Sequence, residues 1–461
     1  MRAAPSHRTV GAAAVVPMAS RVAAASLLAV SALVAWVTIT VPLAARALQG
    51  SILLSMLYVG YLAWRGAGVM RESYAWGRSG AAEPTGLADG LPFVSLVLPA
   101  RNEAPVVAAA VAALRDQAYA RREGSPAFEL LVVDDGSTDG TGAAASRAAG
   151  DGGQVSVRRR ERPPAGGTKG AALEFAMPFL RGEVIGVVDA DTLVAPTFLE
   201  RAMRAWAARD PGAQALQVAR HPRNEPASWL TRAQAEEQLM DVASQCGRWA
   251  TDGTAELRGN GMFIRREALE AAGGWSPSAI TEDLELSTRL AAAGHHVALA
   301  PEVAVEEEAV ERLGALWHQR LRWAEGSLRR LLEHGPGLMV GPQPIGRKAD
   351  FLAFAAEFLL PPLFATTIIA SLLTIPLPRP ADWSVPASLF AGYGLGVFLL
   401  ALAGLAARGE RGALLVGRAL RGALFLSHWL LVVPWALARI AVSRQPASFI
   451  QTPRFGDRAR R

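Results

Sequence analysis

Polarity divides the chain into a polar middle held between apolar ends. Val22–Ala45 runs for more than twenty residues without a charge, and Ser51–Trp64 follows after the short polar break Arg46–Gly50. Phe351–Pro376, Val385–Ala407 and Ala423–Val442 are three further, nearly uncharged stretches. Since about twenty apolar residues cross a bilayer as a helix, the pattern predicts a two-helix membrane hairpin over 22–67 and single spans over 351–376 and 385–407. The segment 412–442 carries Arg418, Arg421 and Pro434 just after Arg411, so it is expected to span or to lie partly in the interface. A secretory leader is the rival reading of the first stretch, because Arg2, Arg8 and Arg21 precede it and Ala45-Arg46-Ala47 resembles a cleavage site. Its length and the second apolar segment favour an uncleaved hairpin behind a 1–21 tail.

Between the apolar ends, after a connector over 68–90, the periodicity changes to that of a soluble α/β domain over 91–335. Phe93–Leu98, Phe128–Val133 and Val184–Val188 are short β-rich runs. Ala104–Gln117, Asp139–Ala149, Ala171–Leu180, Pro196–Arg209, Pro226–Arg248, Leu284–Ala293 and Ala315–Leu332 read as helices. Strand, turn, helix, strand is the opening of a sheet that binds nucleotides at the carboxyl ends of its strands.

Composition adds little to this picture. The 461 residues suffice for two or three domains, and the formal net charge of +6 is concentrated in runs such as Arg158–Arg162 and Arg320–Arg330. Basic residues beside membrane segments mark the cytoplasmic side and attract anionic lipid, and no stacking aromatics interleave them, so no nucleic-acid partner is expected. The single cysteine, Cys246, precludes an internal disulfide and suits a reducing compartment.

The chemistry gathers at strand ends and helix starts. Asp189-Ala190-Asp191 follows the third strand, and if the strand's alternation continues, both carboxylates leave one face about 7 Å apart. Hard oxygen ligands of this kind suit Mg²⁺ or Mn²⁺, with substrate phosphates and water completing the shell; the plain alternative is an acidic turn. Asp134-Asp135 ends the second strand, where a carboxylate either accepts hydrogen bonds from a nucleoside or, with Ser137–Asp139, caps the next helix. Gly166-Gly167-Thr168-Lys169-Gly170 opens a helix and offers N–H groups and a positive charge to a diphosphate, without the spacing of an ATPase loop. Thr281-Glu282-Asp283 starts another helix, with Thr281 as N-cap, and a helix start keeps Asp283 ionised as a general base needs; acids also occur there for stability alone. Gln319, Arg322 and Trp323 share one helix face, suited to holding a pyrophosphate and stacking on a sugar, or simply to a core-facing Trp. Gly259-Asn260-Gly261 is a turn, Glu306–Glu308 a solvated acidic face, and His295 and His296 are structural.

Taken together and in this order, Asp134-Asp135, Lys169, Asp189-Ala190-Asp191, Thr281-Glu282-Asp283 and Gln319-Arg320-Leu321-Arg322-Trp323 resemble the motif set of membrane-embedded family 2 glycosyltransferases, which include cellulose, hyaluronan, chitin and poly-N-acetylglucosamine synthases. The resemblance implies a GT-A fold, Rossmann-like and inserted between N- and C-terminal transmembrane helices. It also implies a nucleotide-sugar donor, commonly a UDP-sugar, a divalent cation and inversion at the anomeric carbon. Carried over, it gives Arg101, Glu103, Asp134, Asp135, Lys169 and Asp189 to the donor and Asp191 with Asp189 to the metal. Asp283 becomes the base, while Gln319, Arg322 and Trp323 line the acceptor and leaving-group site. Phe449–Arg454 in the 443–461 basic tail resembles the gating loop of cellulose-synthase-like enzymes.

The expected activity is sugar transfer to a growing polysaccharide at the plasma (inner) membrane, with the catalytic domain cytoplasmic. Single transfer to a lipid acceptor is the alternative, and the absence of the family's further spans before Arg461 weighs against a complete polymer channel. A permease or scaffold that only binds nucleotide is the rival of another class; it has no need of a base such as Asp283 beside a metal pair.

Overall fold

In the computed structural model, residues 15–79, 90–120, 124–161, 167–377 and 383–445 are described; the gating-loop-like segment at 449–454 and Gly166 lie outside them. The chain begins with α1 (Met18–Thr40) and α2 (Pro42–Gly77). The central domain runs β1 (Val94–Ala100), α3 (Val107–Arg115), β2 (Phe128–Asp134), α4 (Thr141–Ala149), β3 (Val155–Arg159), α5 (Lys169–Ala176), β4 (Val184–Val187) and α6 (Phe198–Arg209). It continues with β5 (Ala215–Pro222), α7 (Trp229–Ala250), β6 (Met262–Arg265), α8 (Arg266–Ala271), α9 (Glu282–Ala292), β7 (Val297–Glu307) and α10 (Leu313–Val340). Then come α11 (Ile345–Thr374), α12 (Ser384–Arg408), α13 (Gly412–Leu426) and α14 (Trp429–Val442).

Among the described residues the strands form one seven-stranded mixed sheet in the order β3-β2-β1-β4-β6-β5-β7. β1, β2, β3 and β4 are parallel, whereas β6 runs antiparallel to β4 and β5. Such strands are buried on both faces and therefore read as continuous apolar runs. Val94, Leu96 and Leu98 of β1 pack with Val111 and Phe198 on one face, and Val97 packs with Leu173, Ile185 and Leu286 on the other. Chain progression steps outward from β1 to β2 to β3 and then returns to β4 on the far side of β1. That reversal opens a crevice at the carboxyl ends of β1 and β4, which is where open α/β sheets bind ligands.

Among the described residues, five segments are long and apolar enough to cross a membrane: α1, α2, α11, α12 and the combined stretch Gly412–Val442. α2 continues well beyond its apolar run and packs against the central domain. A Cβ on Gly66 would fall 2.0 Å from the Ala243 carbonyl oxygen, and one on Gly247 would fall 2.3 Å from that of Leu62, so α2 and α7 touch backbone to backbone. The last stretch is broken at Ser427-His428 into α13, of 15 residues, and α14, of 14. At about 1.5 Å per residue neither half alone spans a 30 Å core. α13 is tied to the central domain instead: Arg418 and Arg421 both reach Glu236 of α7, which has no solvent exposure in its side chain.

Candidate active site

β1 delivers Arg101 and Glu103 into the crevice, and the loop after β2 is laced to them. The Glu103 N–H donates to Thr141 Oγ1 at 2.8 Å and the Asn102 N–H to Ser137 Oγ at 3.1 Å. Asp135 is buried and takes the Arg160 Nε–H at 2.6 Å. Burial pushes its carboxyl above the usual range, with Arg160 and Arg101 opposing the shift. Asp134 faces the other way. Its carboxylate accepts the Ser137 N–H and the Arg159 Nη1–H, each at 2.9 Å, and packs beside Gly142 at the start of α4. The pair expected at the donor is thus divided, because adjacent residues at a strand end point to opposite faces: Asp135 lines the cavity and Asp134 builds the turn.

β4 ends at Val187, so Asp189 and Asp191 sit on a turn, closed by the Thr192 N–H on the Asp189 carbonyl, and not on alternating strand positions. Asn260 holds that turn. Its Oδ1 accepts the Asp189 N–H at 3.1 Å and the Thr192 hydroxyl at 3.0 Å, and its Nδ2 donates to Glu307 Oε2 at 3.0 Å. Asp191 is buried and accepts the Glu308 N–H at 3.3 Å. Glu307 and Glu308, expected on a solvated face, close β7 and line the same cavity. Their charges are met by Arg220 and Arg223.

Lys169 is the first residue of α5, whose N-cap Thr168 accepts the Ala171 N–H. Its ammonium donates to Asp189 Oδ1 at 2.6 Å and to the Gly259 carbonyl at 2.8 Å, and lies 3.5 Å from Glu282 Oε1. Burial works against the charge on this amine, but Asp189 and Glu282 outweigh it and hold the ammonium form above its ordinary range. Gly259 adopts φ +76°, and a Cβ there would sit 3.0 Å from Asp283 Oδ2 and 3.7 Å from Lys169 Nζ. Two motifs distant in sequence therefore meet across one glycine. Glu282 is the residue that sequence reading passed over: burial drives its carboxyl from 4.5 up to about 7 although Lys169 opposes the shift. Thr281 precedes α9 without capping it; its side chain packs instead against Gly326 of α10, where a Cβ would fall 2.4 Å from Thr281 Oγ1.

That contact brings α10 over the site. Gln319, Arg322 and Trp323 line the cavity together. Burial lowers the Arg322 guanidinium from its usual value, and Glu282, Asp283 and Asp189 oppose that shift. Arg320 stacks over the Trp323 ring at 4.2 Å and pairs with Glu237, fixing the indole.

Arg101, Glu103, Asp135, Lys169, Asp189, Asp191, Asp283, Gln319, Arg322 and Trp323 thus share one cavity of about 2580 Å³, and Asp134 is the expected site residue left outside it. Its walls continue without a break onto α2, α11, α12 and α14 through Met56, Phe358, Val397 and Val433. Among the described residues no three acidic, His or Cys side chains converge enough to hold an ion alone. Asp191 and Asp189 fit the part-shell of a Mg²⁺ or Mn²⁺ ion whose remaining ligands come from phosphate and water.

The comparisons agree with this geometry. The family model described as "Glycosyltransferase like family 2" matches residues 92–326. The β-monoglucosyldiacylglycerol synthase of Synechocystis sp. is 33% identical over 373 residues, 80% of this chain and 76% of that protein. The cellulose synthase 1 catalytic subunit of Komagataeibacter xylinus is 27% identical over 202 residues, 43% of this chain and 27% of its own. Among solved structures, the mannosyltransferase PcManGT of Pyrobaculum calidifontis, in complex with GDP-Man and Mn²⁺, matches with a TM-score of 0.56 at 20% identity, covering 86% of this chain and 98% of that one. The fold is GT-A, and the chain belongs to the family 2 glycosyltransferases.

Proposed function

We propose that the chain transfers one sugar from a nucleotide-sugar donor to the hydroxyl of a membrane lipid of the diacylglycerol type, with inversion at the anomeric carbon. One observation carries this reading: a single cavity runs from Lys169, Asp189 and Asp283 to apolar walls on the membrane helices. A lipid seated there keeps its chains among Met56, Phe358 and Val433 while its head reaches the carboxylates. The likeness to diacylglycerol-glucosylating relatives over most of the chain supports lipid over a growing polysaccharide, since the likeness to a cellulose synthase covers less than half.

In this reading Asp135, with Arg101 and Glu103, receives the nucleoside, and Lys169 and Arg322 face the diphosphate. Breaking the sugar–phosphate bond places negative charge on the leaving nucleotide, and these two cations are already fixed where it develops. Asp283 takes the proton from the acceptor hydroxyl as that oxygen attacks the anomeric carbon in line. Gln319 and Trp323 orient the sugar and the acceptor. A divalent cation held by Asp191 and Asp189 supplies further neutralisation of the leaving group when bound. Basic residues at the membrane-facing ends favour a cytoplasmic catalytic domain on the inner membrane.

The test is a panel of labelled UDP- and GDP-sugars given to the full-length chain in nanodiscs containing diacylglycerol, with and without Mn²⁺. A lipid-sized labelled product is expected; a high-molecular-weight product restores the polysaccharide reading, and nucleotide release without either product removes both.

A further inference from the structure

The membrane end of the cavity holds a carboxylate that the chemistry above does not use. Phe354, Glu357, Phe358 and Pro361 of α11 recur at helical spacing and all face the cavity. Glu357 lies six residues beyond Phe351, roughly 9 Å into the apolar run at the rise of an α-helix. It is exposed to the cavity and makes no hydrogen bond or ion pair with another described residue. An acid at this depth without a partner is costly and marks a functional position.

Its surroundings define what it meets. Each neighbouring guanidinium is already matched: Arg248 with Asp350 at 3.1 Å, Arg258 with Asp241 at 2.8 Å and Arg330 with Glu256 at 2.6 Å. Arg248 and Arg330 also lie over the Phe354 ring, at 4.2 and 5.3 Å. The hydroxyls on the facing helices are committed too, Tyr58 to Asp350 at 3.0 Å and Tyr393 to the Leu426 carbonyl at 2.9 Å. Three guanidiniums therefore stand against those three carboxylates, and Glu357 is the carboxyl left without an ion-pair partner among the described residues. Between apolar walls the charge this carboxyl carries when ionised is poorly screened.

We propose that Glu357 forms a lipid-binding threshold that admits neutral, hydroxyl-bearing lipids and turns away lipids carrying a phosphate. A hydroxyl donates to the free carboxylate lone pairs as the lipid passes between the pair α2–α12 and the group α1–α11–α14. A lipid phosphate brought to the same place meets a like charge with little water between them. The proposal rests on the lipid-acceptor reading and names the class of acceptor.

The experiment compares, at an alkaline pH where the carboxyl is ionised, the full-length wild-type chain with Glu357→Gln and Glu357→Asp in micelles containing dioleoylglycerol and increasing dioleoylphosphatidate. Wild type and Glu357→Asp are expected to resist phosphatidate, whereas Glu357→Gln is inhibited at about tenfold lower phosphatidate, the ratio that a loss of like-charge repulsion gives. Thermal melting supplies a second readout that needs no transfer: phosphatidate raises the midpoint of Glu357→Gln and leaves wild type unmoved. Equal responses of wild type and Glu357→Gln in both assays overturn the threshold. Sugar transfer to no lipid at all overturns the acceptor reading, and the melting comparison then still decides the threshold by itself.

Discussion

Lys169 Nζ lies 2.6 Å from Asp189 Oδ1, joining the start of α5 to the turn after β4. The same ammonium stands 3.5 Å from Glu282 and touches the Gly259 carbonyl, so it organises the acids before any donor arrives. Lys169→Met removes the cation and leaves Asp189 and Glu282 facing each other. Sugar transfer by this variant is expected to fall by about 100-fold or more, the usual loss when one fixed charge-stabilising group is deleted. A steady-state rate within a few-fold of wild type would show that Lys169 serves only the fold.

Asp283 and Glu282 are adjacent, yet α9 aims them differently: Asp283 lies beside Gly259 and Glu282 is sealed beside Lys169. Asp283→Asn is expected to keep donor binding and lose turnover by roughly 100- to 10,000-fold, the span of general-base effects. Glu282→Gln should lose much less. Titration calorimetry with donor nucleotide alongside single-turnover rates separates binding from chemistry. If Glu282→Gln proves the more damaging of the two, the base assignment moves by one residue.

Glu282 also sets a pH dependence. Its carboxyl titrates near 7 in the folded chain against 4.5 ordinarily, with burial as the main cause. Between those values the native state holds a proton that the unfolded state has released, so stability falls as pH rises through that window. The slope is expected to flatten in Glu282→Gln, with a difference on the order of 1–3 kcal/mol across the window. Melting midpoints of both proteins between about pH 5 and 8 measure it, and parallel curves would assign the slope to other groups.

Much of the site was legible because it lies where parallel strands end and helices begin, and those junctions announce themselves as an apolar run followed by acids or by glycine and lysine. Asp135, Lys169, Asp189 and Asp283, which all line the cavity, are readable in that way. What the sequence could not show was direction. Asp134 and Asp135 differ only in which side of β2 they leave, and the hydrogen bonds that turn Asp134 toward α4 come from Ser137 and Arg159, fixed only in three dimensions. Glu307, the last residue of β7, and Glu308 just after it read as solvated because β7 alternates irregularly and pairs with β5 across a register shift. Asn260 resembled ordinary turn chemistry; its role follows from burial between the Asp189 turn and Glu307.

Asp191 is buried, and its carboxylate accepts the Glu308 N–H beside the turn that carries Asp189. Asp189 is partly occupied by Lys169, so Asp191 should dominate metal affinity. Asp191→Asn is expected to raise the Mn²⁺ concentration for half-maximal transfer by at least about tenfold. Asp189→Asn should shift it less while also weakening donor binding. Activity measured against free Mn²⁺ in chelator-buffered solution distinguishes the two, and metal curves that coincide with wild type in both variants would separate these acids from the metal.

Glu236 lies in α7 with a fully buried carboxylate, and it receives Arg418 Nε at 3.0 Å and Arg421 Nε at 2.8 Å from α13. This ion cluster clamps the amphipathic α13 to the catalytic domain and explains how arginines in an otherwise apolar segment are accommodated without crossing lipid. Glu236→Leu removes the partner of Arg421 and leaves Arg418 to Glu225 and Glu410, and it is expected to cost about 3–5 kcal/mol, because removing one partner leaves buried charge uncompensated. Replacing Arg418 and Arg421 by Met in the same chain removes that excess charge and should recover part of the loss. Thermal midpoints of the single and triple variants in detergent test the argument: a triple variant less stable than Glu236→Leu alone would mean that the arginines hold α13 through Glu225 and Glu410 instead.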